Sequence, residues 1–148
     1  MIQSIRNIQT VARLCRGHEP LPADLALWLA NSLQCFLEQR AASLNAAFGL
    51  KNARGGIPWR TEAQNRARDA AHRVLAQKYF AGLSLSARAN HIHQSSVRYA
   101  ASAWRFDRNH SEMPARYRGT AQEFLWQAFK SGATMPLCPR QLRTILAI

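Results

Sequence analysis

Arg88, Asn90, His91, Gln94 and Arg98 fall in one short polar stretch, residues 88–98. Each of these residue types can meet nucleic acid. Arginine pairs bidentately with guanine, and asparagine or glutamine with adenine. Near the start of a helix such a set could enter a major groove as the second element of a helix-turn-helix. Helical signals on either side of Gly82 supply the pair, over residues 61–106. Arg66, Arg68, Arg73 and Lys78 on the first helix would then hold phosphates. The same pattern also describes a plain antiparallel helix pair with a solvated polar face. Arg88 and Gln94 fall where the motif often buries apolar side chains.

Two further clusters could touch a polyanion. Lys51, Arg54 and Arg60 flank Gly55-Gly56, Pro58 and Trp59 in a basic loop. Basic groups interleaved with glycine can track a phosphate backbone while the indole stacks on a base. Trp59 could equally anchor the loop onto the core. Arg105 and Arg108 flank Asp107, and Arg116 and Arg118 follow, beside Tyr99, Trp104, Phe106 and Tyr117. These arginines would make a basic rim around an aromatic cluster. Tyr99 and Phe106 both lie on the apolar stripe and are expected in the core.

Metal and catalytic chemistry find little support. Cys15 and His18 have a C-x-x-H spacing, and His91 and His93 an H-x-H spacing. Structural zinc usually takes four ligands in two close pairs. Residues two apart on a helix point in nearly opposite directions, so His91 and His93 could not share an ion there. The chain has no G-x-S-x-G, no P-loop and no H-E-x-x-H. No spacing among Asp69, Asp107 and Glu112 suggests a nuclease. The expectation is a protein that is not an enzyme and has no cofactor and no metal.

Charge is the strongest signal. Seventeen arginines and three lysines face eight acids, a formal net charge of +12 on 148 residues. Such an excess suits a polyanion, and the guanidinium fork suits phosphate in particular. A GC-rich genome could favour arginine over lysine but would not remove the acids. The first expectation is a basic DNA-binding regulator, DNA in preference to RNA, since no RRM-type aromatic motif is present. The second is a module or inhibitor docking on an acidic protein, such as a nucleic-acid-processing enzyme. Four tryptophans and many arginines suit such an interface. A component of a larger particle, using its charge for solubility or RNA contact, is a third.

No apolar run nears the roughly 20 residues of a membrane span. Three scattered cysteines, Cys15, Cys35 and Cys138, fit a reducing compartment, and a cytoplasmic location is expected. The acid-free first 18 residues carry Arg6, Arg13 and Arg16 and also fit a targeting peptide. A plain first helix is the simpler reading, and a homodimer would form through it.

The elements that must position these residues are helices. Ile2, Ile5, Ile8, Val11 and Leu14 recur every three residues and end near Gly17. A second stripe runs from Leu25 through Leu37 to Phe48, with Gly49 as its stop. Thr61 and Gln64 have capping-box spacing, as do Thr120 and Glu123. Ser84 or Ser86 should cap a helix reaching about Phe106, and Pro139 should open the last one. Alternating strand patterns are absent. The expected fold is all-α, five to seven helices in one compact bundle-like domain over 1–148. Any subdomain break would fall in the basic loop 51–60.

Overall fold

The computed structural model describes residues 2–51 and 56–147. The fold is all-α, and no strand occurs among the described residues. Among the described residues six helices have eight residues or more, and two are single turns of four. The chain forms two compact units, Met1–Trp59 and Arg60–Ile148.

The first unit opens with α1 (Ile2–Arg16). Its apolar spacing buries Leu14 and half-buries Ile5, Ile8 and Val11. His18 then takes a left-handed conformation, φ 53°, and the Glu19 N–H donates to the Leu14 carbonyl at 2.9 Å. α2 (Ala23–Leu37) follows Pro22, and Leu25 is its buried anchor. The single helix expected from Leu25 to Phe48 is two. Gln39 turns left-handed at φ 58°, and the Arg40 N–H closes onto the Cys35 carbonyl at 3.0 Å. The apolar period resumes in α3 (Leu44–Ala47), capped by Ser43, so periodicity alone joined the two. Trp28 and Phe48 pack ring to ring at 5.4 Å. The outer side of α2 is apolar as well, with Leu27 and Leu37 at 62% and 77% exposure.

The second unit holds the larger core: Leu75, Ala76, Ala89, Ile92, Tyr99, Tyr117, Phe124, Leu125 and Leu142. α4 (Trp59–Tyr79) starts before Thr61, so Thr61 lies inside the helix and its capping box does not form. α5 (Leu85–Ala101) is capped by Ser84, whose hydroxyl accepts from the Ala87 N–H. Its apolar stripe packs most closely against α8 (Pro139–Leu146).

The helix expected to reach Phe106 breaks at Ser102, φ −118°, ψ −99°. The chain resumes as α6 (Trp104–Asp107). The break shifts the helical register. Trp104 therefore packs against Tyr99 at 6.1 Å and Phe129 at 5.3 Å, while Phe106 points outward at 74% exposure. This overturns the core position expected for Phe106; Tyr99 is buried as expected.

A 3-10 turn, Ala115–Tyr117, leads to α7 (Ala121–Lys130). Its capping differs from the expected box. Thr120 Oγ1 donates back to the Tyr117 carbonyl, and Glu123 Oε2 accepts from the Gly119 N–H. Gly132 ends α7 at φ +78°, where a Cβ would meet the Gln64 amide at 2.9 Å. Glycine satisfies both constraints at once. No described helix is long and apolar enough to cross a membrane.

Candidate polyanion-binding site

Much of the arginine expected on the helix pair 61–106 is engaged within the second unit. Arg68 is largely buried, pairs with Asp69 at 2.7 Å and donates to the Thr134 carbonyl. Arg73 Nε donates to the Ile145 carbonyl at 2.9 Å and so ties α8 to α4. Arg88 donates to the carbonyls of Leu83 at 2.8 Å and Ala81 at 2.6 Å, stapling the turn between α4 and α5. Arg66 pairs with Glu62 one turn earlier on the exposed side of α4. Arg68, Arg73 and Arg88 thus tie separate parts of the unit together, whereas the partner of Arg66 is local to its own helix.

Asn90, His91, Gln94 and Arg98 meet on the outward face of α5, opposite the buried Ala89, Ile92, Ser96 and Tyr99. Asn90, Gln94 and Arg98 follow one another at four-residue steps, so they line up along that face. His91 stacks on Phe80 with ring centres 5.5 Å apart. Lys51 and Arg60 are exposed. Arg54 lies outside the described residues.

A run of uncommitted charge extends from the last turns of α5 to residue 118. Arg98, Arg105, Arg108 and Arg118 are exposed and form no ion pair among the described residues. Lys130 donates to the backbone carbonyls of Arg108 and His110, holding this segment to α7. Phe106 stands exposed between Arg105 and Arg108.

Beneath the segment lies a buried acid that sequence reading did not isolate. Asp107 is 1% exposed. Its Oδ2 accepts from the Tyr99 hydroxyl at 2.8 Å and the Tyr117 hydroxyl at 2.7 Å. Its Oδ1 accepts from Arg116 Nη2 at 3.3 Å. A buried carboxylate needs such donors to offset its lost hydration. Burial first, then the bond to Asp107, pushes the Tyr99 phenol far above its ordinary range. Arg116 also donates to the Tyr117 hydroxyl at 3.2 Å and lies 4.8 Å from that ring centre. The contact with Tyr117, then the Asp107 charge, strengthens its hold on its proton. The sequence signal was Asp107 alone among arginines, which equally describes a solvated acid.

Above this network, a cleft of about 480 Å³ opens between the end of α5 and the start of α7. Arg98 and Arg116 line it, with Ser95, Ser102, Thr120 and Gln122. Its apolar lining includes Ala103, Ala121 and Leu125. The Asp107 carboxylate is not part of the lining. Two guanidinium groups beside an apolar floor can take an anion attached to an organic body.

No three His, Cys, Asp or Glu side chains cluster as a metal site among the described residues. His72, which sequence reading passed over, is fully enclosed on α4, and neither ring nitrogen has a partner among the described residues. No known family model matches the chain, and no curated protein or solved structure shows significant similarity to it.

Proposed function

We propose that this protein binds nucleic acid, DNA in preference to RNA. Arg98, Arg105, Arg108 and Arg118 would neutralise phosphates, while Asn90, His91 and Gln94 face the grooves from α5. The observation that carries this reading is that Arg98, Arg105, Arg108 and Arg118 are exposed and form no ion pair among the described residues. Phosphate contacts supply most sequence-independent affinity, and polar side chains on a helix face supply base discrimination. The placement of Arg68, Arg73 and Arg88 supports a division of labour, in which those three hold the fold and the later arginines meet the ligand.

Fluorescence anisotropy with labelled duplex DNA, single-stranded DNA and RNA at two salt concentrations tests the proposal. The expected result is micromolar or tighter binding that weakens steeply with salt. Replacing Arg105, Arg108 and Arg118 together by Gln should reduce the salt slope by roughly three charges' worth. Unchanged affinity and slope in that variant would overturn it.

A second reading has its own observation. Phe106, exposed between two arginines, has the composition of a protein-interface hot spot. The partner would then be an acidic protein surface, met first through long-range steering. Phe106→Ala separates the two: it would abolish capture of an acidic partner and leave duplex affinity nearly unchanged.

A further inference from the structure

We propose that the cleft between the end of α5 and the start of α7 holds the phosphate-monoester end of a nucleic-acid strand. The terminal phosphate would lie against Arg98 and Arg116, and the terminal nucleoside over the apolar floor. This inference rests on the nucleic-acid reading above and names what the cleft adds to it.

Shape is the first argument. Phosphodiesters inside a strand are flanked by nucleotides on both sides and suit an open basic surface. A concave cleft suits a group that ends. At about 480 Å³, its volume lies in the range of small-ligand pockets, about 300–1,000 Å³. It is therefore of a size for one terminal nucleotide.

Charge is the second argument. A monoester carries close to two negative charges at neutral pH and three terminal acceptor oxygens. An internal diester carries one charge and has two such oxygens. The fork of Arg98, with the Nη1 and Nε donors of Arg116 that do not bond Asp107 or Tyr117, suits the richer acceptor set. Arg116 is held in place before any ligand arrives, by Asp107 at 3.3 Å and the Tyr117 hydroxyl at 3.2 Å. Its counter-charge is buried below the cleft and does not occupy it. Arg98 has no ion pair among the described residues and brings an uncompensated positive charge to the same space. Preorganising one donor group reduces the ordering cost of binding.

The lining hydroxyls fit an acceptor role toward the sugar. Ser102 Oγ donates to the Arg98 carbonyl at 2.7 Å, and Thr120 Oγ1 to the Tyr117 carbonyl at 2.8 Å. Their lone pairs remain available to the hydroxyls of a terminal sugar. Ala103, Ala121 and Leu125 offer the base a surface without competing polar groups.

The test uses the full chain and one short oligonucleotide in three forms: 5′-phosphate, 3′-phosphate and hydroxyl at both ends. A nucleoside monophosphate and its parent nucleoside are titrated separately by calorimetry. At least one phosphorylated oligonucleotide should bind tenfold or more tightly than the hydroxyl form, and which one identifies the strand end. The monophosphate should bind and the nucleoside should not. Arg98→Gln should erase the tenfold preference, whereas Arg105→Gln, outside the cleft lining, should weaken all three forms alike and keep it.

Equal, salt-sensitive binding of the three forms, with no monophosphate binding, would overturn the cleft proposal and keep the nucleic-acid reading. Binding of the monophosphate without binding of any oligonucleotide would overturn the nucleic-acid reading and keep the cleft as a phosphate site. Preference retained in Arg98→Gln would overturn the assignment to this cleft.

Discussion

Asp107 and His72 show how one buried polar side chain can decide a property of the whole fold. Asp107 is inaccessible to water, and two tyrosine hydroxyls and one guanidinium meet its carboxylate. Asp107→Asn keeps the shape and removes the charge. Bonds to a charged acceptor are each worth about 1 kcal/mol more than neutral ones. The substitution should therefore cost about 3 kcal/mol over the three bonds, read from the midpoint of urea denaturation. An unchanged midpoint would show that the network does not stabilise the fold. His72 acts in the opposite sense. Burial first, then the nearby Arg68 charge, lowers its pKa to about 4 from an ordinary 6.5, against a weaker upward pull from Asp69. The unfolded chain therefore binds the proton more readily than the folded one. Its contribution to stability is complete above pH 6.5 and is lost as pH falls toward 4. The full difference is about 3 kcal/mol. In His72→Met, stability should fall less than in the parent between those two pH values. Parallel pH curves for the two proteins would refute the assignment.

At the scale of elements, helix ends and turns carry most of what holds the second unit in shape. The turn between α4 and α5 is stapled by Arg88 onto the Ala81 and Leu83 carbonyls. Arg88→Ala removes two charge-assisted bonds and should cost about 2 kcal/mol in thermal or chemical denaturation. It should leave the salt dependence of DNA binding as it was. A reduced salt slope with unchanged stability would mean that Arg88 meets phosphate after all. The helices themselves were legible in the sequence because the apolar stripe repeats at the helical period in α1, α2, α4, α5 and α7. The breaks were less legible. Gln39 turns left-handed without being glycine, and Ser102 interrupts α5 with no proline or glycine to mark it. The period survives both breaks, so it bridged them and placed Phe106 on the wrong side. The outward set on α5 was legible as a group of residue types. What no local pattern showed was which arginines reach a carbonyl far along the chain, as Arg73 reaches Ile145 and Arg68 reaches Thr134.

Charge belongs to the molecule as a whole, and it is unevenly divided. Residues 60–148 carry fourteen basic and five acidic side chains, while residues 1–59 carry six and three. If affinity for a polyanion came only from net charge, the location of a lost charge would matter little, since screened charges sum over the surface. If phosphates are held at a site, location decides. Two triple variants separate these cases. One replaces Arg6, Arg16 and Lys51 by Gln in the first unit; the other replaces Arg105, Arg108 and Arg118 by Gln in the second. All six side chains are exposed, and each variant removes the same charge. The second set should lower duplex affinity at least tenfold more than the first at about 0.1 M salt, where the screening length is about 10 Å. It should also take roughly three counterions from the salt slope, against fewer than one for the first. Equal losses would show that the long-range field governs binding and that the segment 98–118 is no more than its densest part.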